Sequence, residues 1–461
     1  MRRTAVFLPV LLIIGLTSCA ASGQTRAPSP KWTVGFWFWE GSEVTPESQG
    51  PQIDSLYFQA GRIEQGLLPF NVRAENWFVG SQLPSPLPQA KEYWMVLRYE
   101  TQRVPALSAI PALAESFKRI QAEARRRRVS LSGVQLDIDA PTGSLREYAA
   151  FLREVRKVLP NGMQLSITAL LDWFRDGTGM PEVTKEVDEF VPQFYDLSDS
   201  EREHRGISIG VTQSADLRPI AARIDSQVWG ARFNKYGKRY RIGISSFGRS
   251  GVVSGGSLQV YGDLHPLTVG INSAFSLQTE RTPAKELLLK YRAIRQTTIS
   301  YATFQVGDLI EFVMPTSAAV RDAYDNSKRM GGYCAGVIFF RWPVPDQEIA
   351  LSPDEVLHAI GMSRADVSAP LVVAKDGGCV AVECVDLHLF NVDGQANSRL
   401  RYTLTSSVPF EYFLPEKNIP VGLSNPNELE IVVPPFAGAR HLYLGRGVTA
   451  KRSEFSVTKE R

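Results

Sequence analysis

Two carboxylates at alternate positions, Asp137 and Asp139, are the residues of this chain best placed for acid–base chemistry. They end the stretch GVQLDID, Gly133 to Asp139. Alternation along an extended chain puts both on one side of a strand. Carboxylates paired in this way can divide acid and base work, because a neighbouring negative charge keeps one protonated while the other is ionised. Ala140-Pro141-Thr142-Gly143 then breaks the strand, and Ser144-Leu145-Arg146-Glu147 has the form of a capping box. Leu145, Tyr148, Leu152, Val155 and Leu159 mark one helical face. Two acids therefore stand at the C-terminal end of a strand that feeds a helix, where α/β folds bind their ligands.

The rest of the chain supplies the elements that must hold these acids. Runs rich in aromatic and β-branched residues predict strands at 32–39 (WTVGFWFW), 53–60, 93–99 and 133–139. Further strands are predicted at 164–170, at a short stretch ending in Pro192-Gln193-Phe194-Tyr195-Asp196, at 241–247 and at 336–340. Helical periodicity falls between them, at 111–128, after Ser144, around 183–189, at 220–236, 284–294 and 353–360. A Gly- and Ser-rich passage from Gly251 to about Thr282 reads as a long loop, and such loops are usually functional or mobile. Strands and helices alternating at this rhythm predict a parallel sheet, and eight such units over residues 31–365 fit a TIM-like (β/α)8 barrel with insertions. No GxGxxG follows the first strand, which argues against a dinucleotide-binding fold.

Residues 366–461 follow a different pattern. All 8 tryptophans lie at or before position 342. Val385-Leu387-Leu389, Leu400-Tyr402-Leu404 and Leu429-Ile431-Val433 alternate with polar residues, and turn signals such as Asn425-Pro426-Asn427 separate them. This predicts a small antiparallel β-sandwich as an accessory domain. At the other end, Met1-Arg2-Arg3 is a basic n-region and residues 5–16 are apolar, too short for a membrane span. Leu16-Thr17-Ser18-Cys19 resembles the bacterial lipobox, whose cysteine is lipidated; the bland alternative is a secretory signal with a chance Cys. Residues 1–19 then form the signal, and residues 20–30 a tether. Ala20 follows Cys19 where the inner-membrane retention signal would have Asp, so the leader implies an envelope protein on the outer membrane, facing the periplasm or the exterior. Export favours a disulfide between Cys379 and Cys384, with a two-Cys metal site the weaker reading because no second ligand pair follows. The 5 histidines are scattered without ligand spacing, so no metal and no cofactor are expected. A net charge of +3 gives no reason to expect nucleic acid.

Three motifs in order resemble the family 18 glycoside hydrolases, the chitinase clan. That family carries DxxDxDxE at the end of its fourth strand, and Ser132-Gly133-Val134-Gln135-Leu136-Asp137-Ile138-Asp139 lies on it. Tyr195-Asp196 matches the Tyr-Asp of its sixth strand, and Gly243-Ile244-Ser245-Ser246-Phe247-Gly248-Arg249-Ser250 resembles its seventh. Trp342 stands where that family floors the reacting sugar with a tryptophan. The whole chain also resembles an uncharacterised bacterial lipoprotein family of unknown function near this clan. The resemblance implies an acid at Asp139, an orienting Asp137 and a stabilising Tyr195. It implies a substrate-assisted mechanism in which the sugar's own N-acetyl carbonyl attacks. Asp196 and the aromatics Trp37, Trp173 and Trp342 become candidate substrate contacts, and Glu40 and Glu100 offer alternative carboxylates at strand ends.

The departures divide the readings. The family's acid is Glu, and Asp139 is shorter by one C–C bond, about 1.5 Å. Misplacement of that order can cost about a hundredfold in rate. The first two motif acids are replaced by Ser132 and Gln135. One expectation is an envelope glycoside hydrolase acting on an N-acetylhexosamine-containing or related polysaccharide. The others are a carbohydrate-binding lipoprotein that has lost catalysis, and a structural envelope lipoprotein.

Overall fold

The computed structural model describes residues 30–42, 44, 53–66, 76–195, 224–254, 257–259, 264, 266–270, 272–282, 284–299, 302–343, 349–362, 370–380, 383–390, 400–416, 421–433 and 441–459. The leader, Cys19, most of the tether and Asp196 lie outside these residues.

Eight parallel strands close into a barrel. In chain order they are β1 (Thr33–Phe38), β2 (Ile53–Gly66), β3 (Ala90–Tyr99), β4 (Leu131–Ile138), β5 (Gln164–Ala169), β6 (Glu189–Pro192), β7 (Arg239–Ser245) and β8 (Cys334–Phe340). Each pairs with its sequence neighbours, and β1 closes the ring by pairing with both β2 and β8. A ninth strand, Asn76–Val79, adds antiparallel to the end of β2. The expected strands are all present, with ends shifted by a few residues.

Side-chain alternation sorts the barrel into two cores. Phe36, Leu56, Met95, Leu97, Val134, Leu136 and Ile138 face outward against the helices. Those helices include α1 (Ile110–Arg126), α2 (Leu145–Val158), α3 (Met180–Glu186), α4 (Ser226–Asn234), α5 (Ser317–Arg329) and α6 (Pro353–Ala359). Leu113, Phe117, Ile120 and Ala124 form the buried face of α1, as their spacing predicts. Facing inward are Trp37, Tyr57, Trp94, Val96, Val191 and Ile338.

The start of α2 departs from expectation. A 3₁₀ turn, Thr142–Ser144, leads into it, and Ser144 makes no side-chain cap. With φ −99° and ψ 9°, Ser144 lacks the extended backbone that aims an N-cap hydroxyl at the helix amides. A capping box does form at α6, between Ser352 and Glu355.

The passage after β7 is a second correction. The stretch expected to be a loop and then a helix over 284–294 contributes instead to a five-stranded antiparallel sheet. Leu287–Ala293 pairs with both Phe275–Arg281 and Leu309–Met314. LLLKYRA holds good helix formers, but Leu289, Tyr291 and Ala293 alternate into a core with Ile310 and Phe312. Pairing on both edges overrides a propensity worth only tenths of a kcal/mol per residue.

At the C-terminus two four-stranded antiparallel sheets share one core. Leu387, Leu389, Leu442 and Leu444 come from one sheet, and Tyr402, Leu404, Leu429 and Ile431 from the other. This is the predicted sandwich. Cys379 and Cys384 are joined in a disulfide with an S–S distance of 2.03 Å, and Cys334 is a free, buried thiol.

Candidate active site

The inward face of the barrel is built in layers, and the lowest is polar. Glu189 on β6 is fully buried and lies 2.9 Å from both Arg241 and Arg239 on β7. Tyr57 on β2 donates to Glu189 at 2.7 Å, and Arg241 also donates to Tyr57. Burial works against the Arg241 charge, but Glu189, Tyr57 and Glu92 outweigh it and hold the pKa above the usual guanidinium value. Above this layer, Gln135 on β4 accepts from the Trp37 indole at 2.7 Å and donates to Ser166 at 3.1 Å. Gln135 thus does structural work at a position where the resembling family has an acid. Trp37 is 1% exposed and walled in by Tyr57, Tyr195 and Phe340, so it supports the site from below.

Asp137 sits one layer higher, at the C-terminal end of β4, and is 8% exposed. Its Oδ1 accepts from Thr168 on β5 at 2.7 Å and from the Gln193 amide, just past β6, at 3.4 Å. Arg98, its register partner on β3, brings Nε to 3.9 Å from Oδ2. Groups from three neighbouring segments therefore fix this carboxylate. Asp139 follows at the strand exit and is half-buried. The Tyr148 phenol on α2 feels both acids: burial first, then the charges of Asp137 and Asp139, push its pKa well above the ordinary value.

Tyr195 is 6% exposed and stacks on Phe340 at 4.5 Å. Its ring also meets Trp37 edge-on, and its carbonyl accepts from Arg249. The barrel thus brings Asp137, Asp139 and Tyr195 to one end. Glu40 and Glu100 stand at the same end but are spent on an exposed ion-pair chain. Arg62 meets Glu40 at 2.8 Å and Glu100 at 3.3 Å, and Glu100 meets Arg98 at 3.4 Å. Beside this chain runs a cleft of about 350 Å³ lined by Trp39, Glu40, Gln59, Arg62, Glu64 and Phe78, among others.

Two expected aromatic contacts lie elsewhere. Trp342 is 2% exposed and packs on Phe36 and Phe38 in the outer core. Trp173 is fully buried against Tyr148, with its indole donating to the Ala140 carbonyl. A ligand in the barrel mouth reaches neither. Strand β8 ends at Phe340, and the inward alternation through Ile338 stops there; Phe340, not Trp342, faces the mouth. Counting two residues on from Ile338 would have found it. Thr168 and Gln193 were also missed, because one hydroxyl and one amide leave no mark in a sequence until neighbouring strands aim them at Asp137. Among the described residues no cluster of His, Cys, Asp and Glu could hold a metal.

Residues 89–300 match a family described as a domain of unknown function, DUF3142. No curated protein matches the chain. Among solved structures, the spore cortex-lytic enzyme SleL of Bacillus cereus is similar at 11% identity with a TM-score of 0.45, covering 72% of this chain and 75% of that one. The chitinase ChiA74 of Bacillus thuringiensis is similar at 9% identity with a TM-score of 0.42, covering 92% and 100%. YKL-39, solved in the presence of chitooligosaccharides (GlcNAc4), is similar at 10% identity with a TM-score of 0.45, covering 72% and 98%.

Proposed function

We propose that the chain binds a polysaccharide at the mouth of its barrel and hydrolyses a glycosidic bond there. The observation that carries this reading is a buried acceptor. Gln193 donates its amide hydrogen to Asp137, yet its Oε1 is buried with no hydrogen-bond partner, and the residue is 5% exposed. Leaving such an atom unpaired costs about 1–3 kcal/mol, and native structures rarely tolerate it without a role. A sugar hydroxyl is a donor and an acceptor at once, and would satisfy Gln193 Oε1 beside the Asp137 carboxylate.

In this reading Asp139 protonates the glycosidic oxygen. Asp137, fixed by Thr168, Gln193 and Arg98, orients the attacking group, and Tyr195 packs against the reacting ring. Phe340 takes the place that the sequence suggested for Trp342, and the cleft beside Trp39 and Phe78 receives the neighbouring sugars. The test is turnover of envelope and chitin-type glycans by the purified chain. Asp139→Asn should lower kcat by about 10²–10⁴, the usual worth of a general acid. Equal turnover by wild type and variant would refute the assignment. A second reading, binding without hydrolysis, is favoured by the short reach of Asp139 and by Gln135 in the place of an acid. It expects glycan binding with no turnover and no effect of Asp139→Asn.

The leader and Cys19 support an envelope setting with a lipid anchor, and among the described residues no helix is long and apolar enough to cross a membrane. Metabolic labelling with a radioactive or clickable fatty acid should mark the chain and be lost in Cys19→Ala. Persistent labelling of that variant would refute the anchor.

A further inference from the structure

The mouth of the barrel also has an unbalanced charge. Arg341 follows β8 directly and is half-buried, with its guanidinium 5.1 Å over the Phe247 ring. Its Nε is buried with no hydrogen-bond partner. Among the described residues no carboxylate comes within ion-pair distance of it. The charge it does feel is that of Arg98: burial first, then that like charge, push the Arg341 pKa below the usual guanidinium value. Arg98 lies 5.6 Å over the Trp39 ring and is shared between Glu100 at 3.4 Å and Asp137 at 3.9 Å. Arg98 therefore has carboxylates to balance it, while Arg341, backed by the Phe247 ring, has none of its own among the described residues.

A buried guanidinium Nε without an acceptor is unfavourable by itself, because an unpaired buried donor keeps its desolvation cost. The same barrel pairs its other buried arginine fully, Arg241 with Glu189. A guanidinium presents five donors in a rigid fork that matches the oxygens of a carboxylate, sulfate or phosphate. We propose that the ligand carries an oxyanion and that Arg341, with Arg98 beside it, receives it. This rests on the glycan reading and adds a substrate class to it: an acidic polysaccharide bearing carboxylate or sulfate groups.

The test is calorimetric titration of the purified full chain with three oligosaccharides of one backbone. One carries uronic carboxylates, one has those carboxyls reduced to hydroxymethyl groups, and one is sulfated. The acidic forms should bind about tenfold or more tightly than the neutral one, with a preference that weakens as salt rises. Arg341→Met should abolish the preference while leaving Tm unchanged or higher, since the side chain has no ion pair to lose. Arg341→Lys, which keeps the charge without the fork, should retain part of it. The order of the carboxylated and sulfated forms identifies the oxyanion. Equal affinity for acidic and neutral forms, or a preference that survives in Arg341→Met, overturns the inference and leaves the glycan reading standing. A fall in Tm in Arg341→Met together with a kept preference makes the residue structural and also overturns it. Arg341-dependent binding of acetate or sulfate without binding of any oligosaccharide keeps the oxyanion site and overturns the glycan reading. Binding of neither overturns both.

Discussion

The floor and the mouth of the barrel use the same strands and the same residue types to opposite ends. At the floor, Glu189 faces Arg241 and Arg239, and Tyr57 and Ser166 complete the network. At the mouth, Arg98 on β3 meets Asp137, while Arg341, just past β8, has no carboxylate within ion-pair distance among the described residues, and Gln193 Oε1 is left unpaired. The floor pairs its buried charges within the fold, and the mouth leaves one guanidinium, Arg341, without an acid among the described residues. The floor is closed by ion pairs within the fold, whereas the mouth keeps a guanidinium and an amide oxygen that the proposed ligand would complete.

The largest effect expected from this contrast is on stability. Removing one partner of a fully buried ion pair leaves the other charge uncompensated and costs about 3–5 kcal/mol. Glu189→Ala should lower the unfolding free energy by that amount in urea titration, since Arg241 would keep only the partly exposed Glu92 at 3.3 Å. Asp139→Asn in the same titration should stay within about 1 kcal/mol, because surface and ligand-site substitutions seldom cost more. Comparable losses in both variants would break the comparison and make the mouth a structural network like the floor.

The parts of the molecule that repeat were legible in the sequence. Eight apolar strands alternate with helices whose buried faces recur at helical spacing, and the C-terminal strands alternate with a period of two. Leu113 to Ala124 and Leu387 to Leu444 kept these periods because each faces one continuous core. That Asp137, Asp139 and Tyr195 would stand at one end of the barrel was legible as well, since strand ends in such a barrel converge. What escaped was set by contacts that local sequence does not encode. Leu287–Ala293 has helical composition and becomes a strand through pairing on both edges. Trp342 lies one step beyond the point where β8 stops alternating, which put the aromatic of the mouth at Phe340 instead. The contacts of Gln193 and Thr168 with Asp137 arise only from what faces them across the barrel.

A third polar site tests whether an unpaired charge is always costly when no ligand is near. Glu286, at the edge of the inserted sheet, is 6% exposed and lies beside a small gap of about 30 Å³ against Ile244 and Phe194. Burial raises its pKa to about 7, with the Thr282 hydroxyl and the Arg249 charge only partly opposing it. The folded state therefore holds the proton more tightly than the unfolded chain, where the ordinary value is 4.5. The resulting stabilisation is fully present below pH 4.5 and declines as pH rises to about 7. Above that the carboxylate is ionised in both states, and its burial costs up to about 3 kcal/mol. Glu286→Gln removes the titration, so its Tm should match that of the wild type near pH 4.5 and exceed it at pH 8. Parallel Tm curves for the two proteins across that range would show that Glu286 finds its compensation within the fold, as Glu189 does.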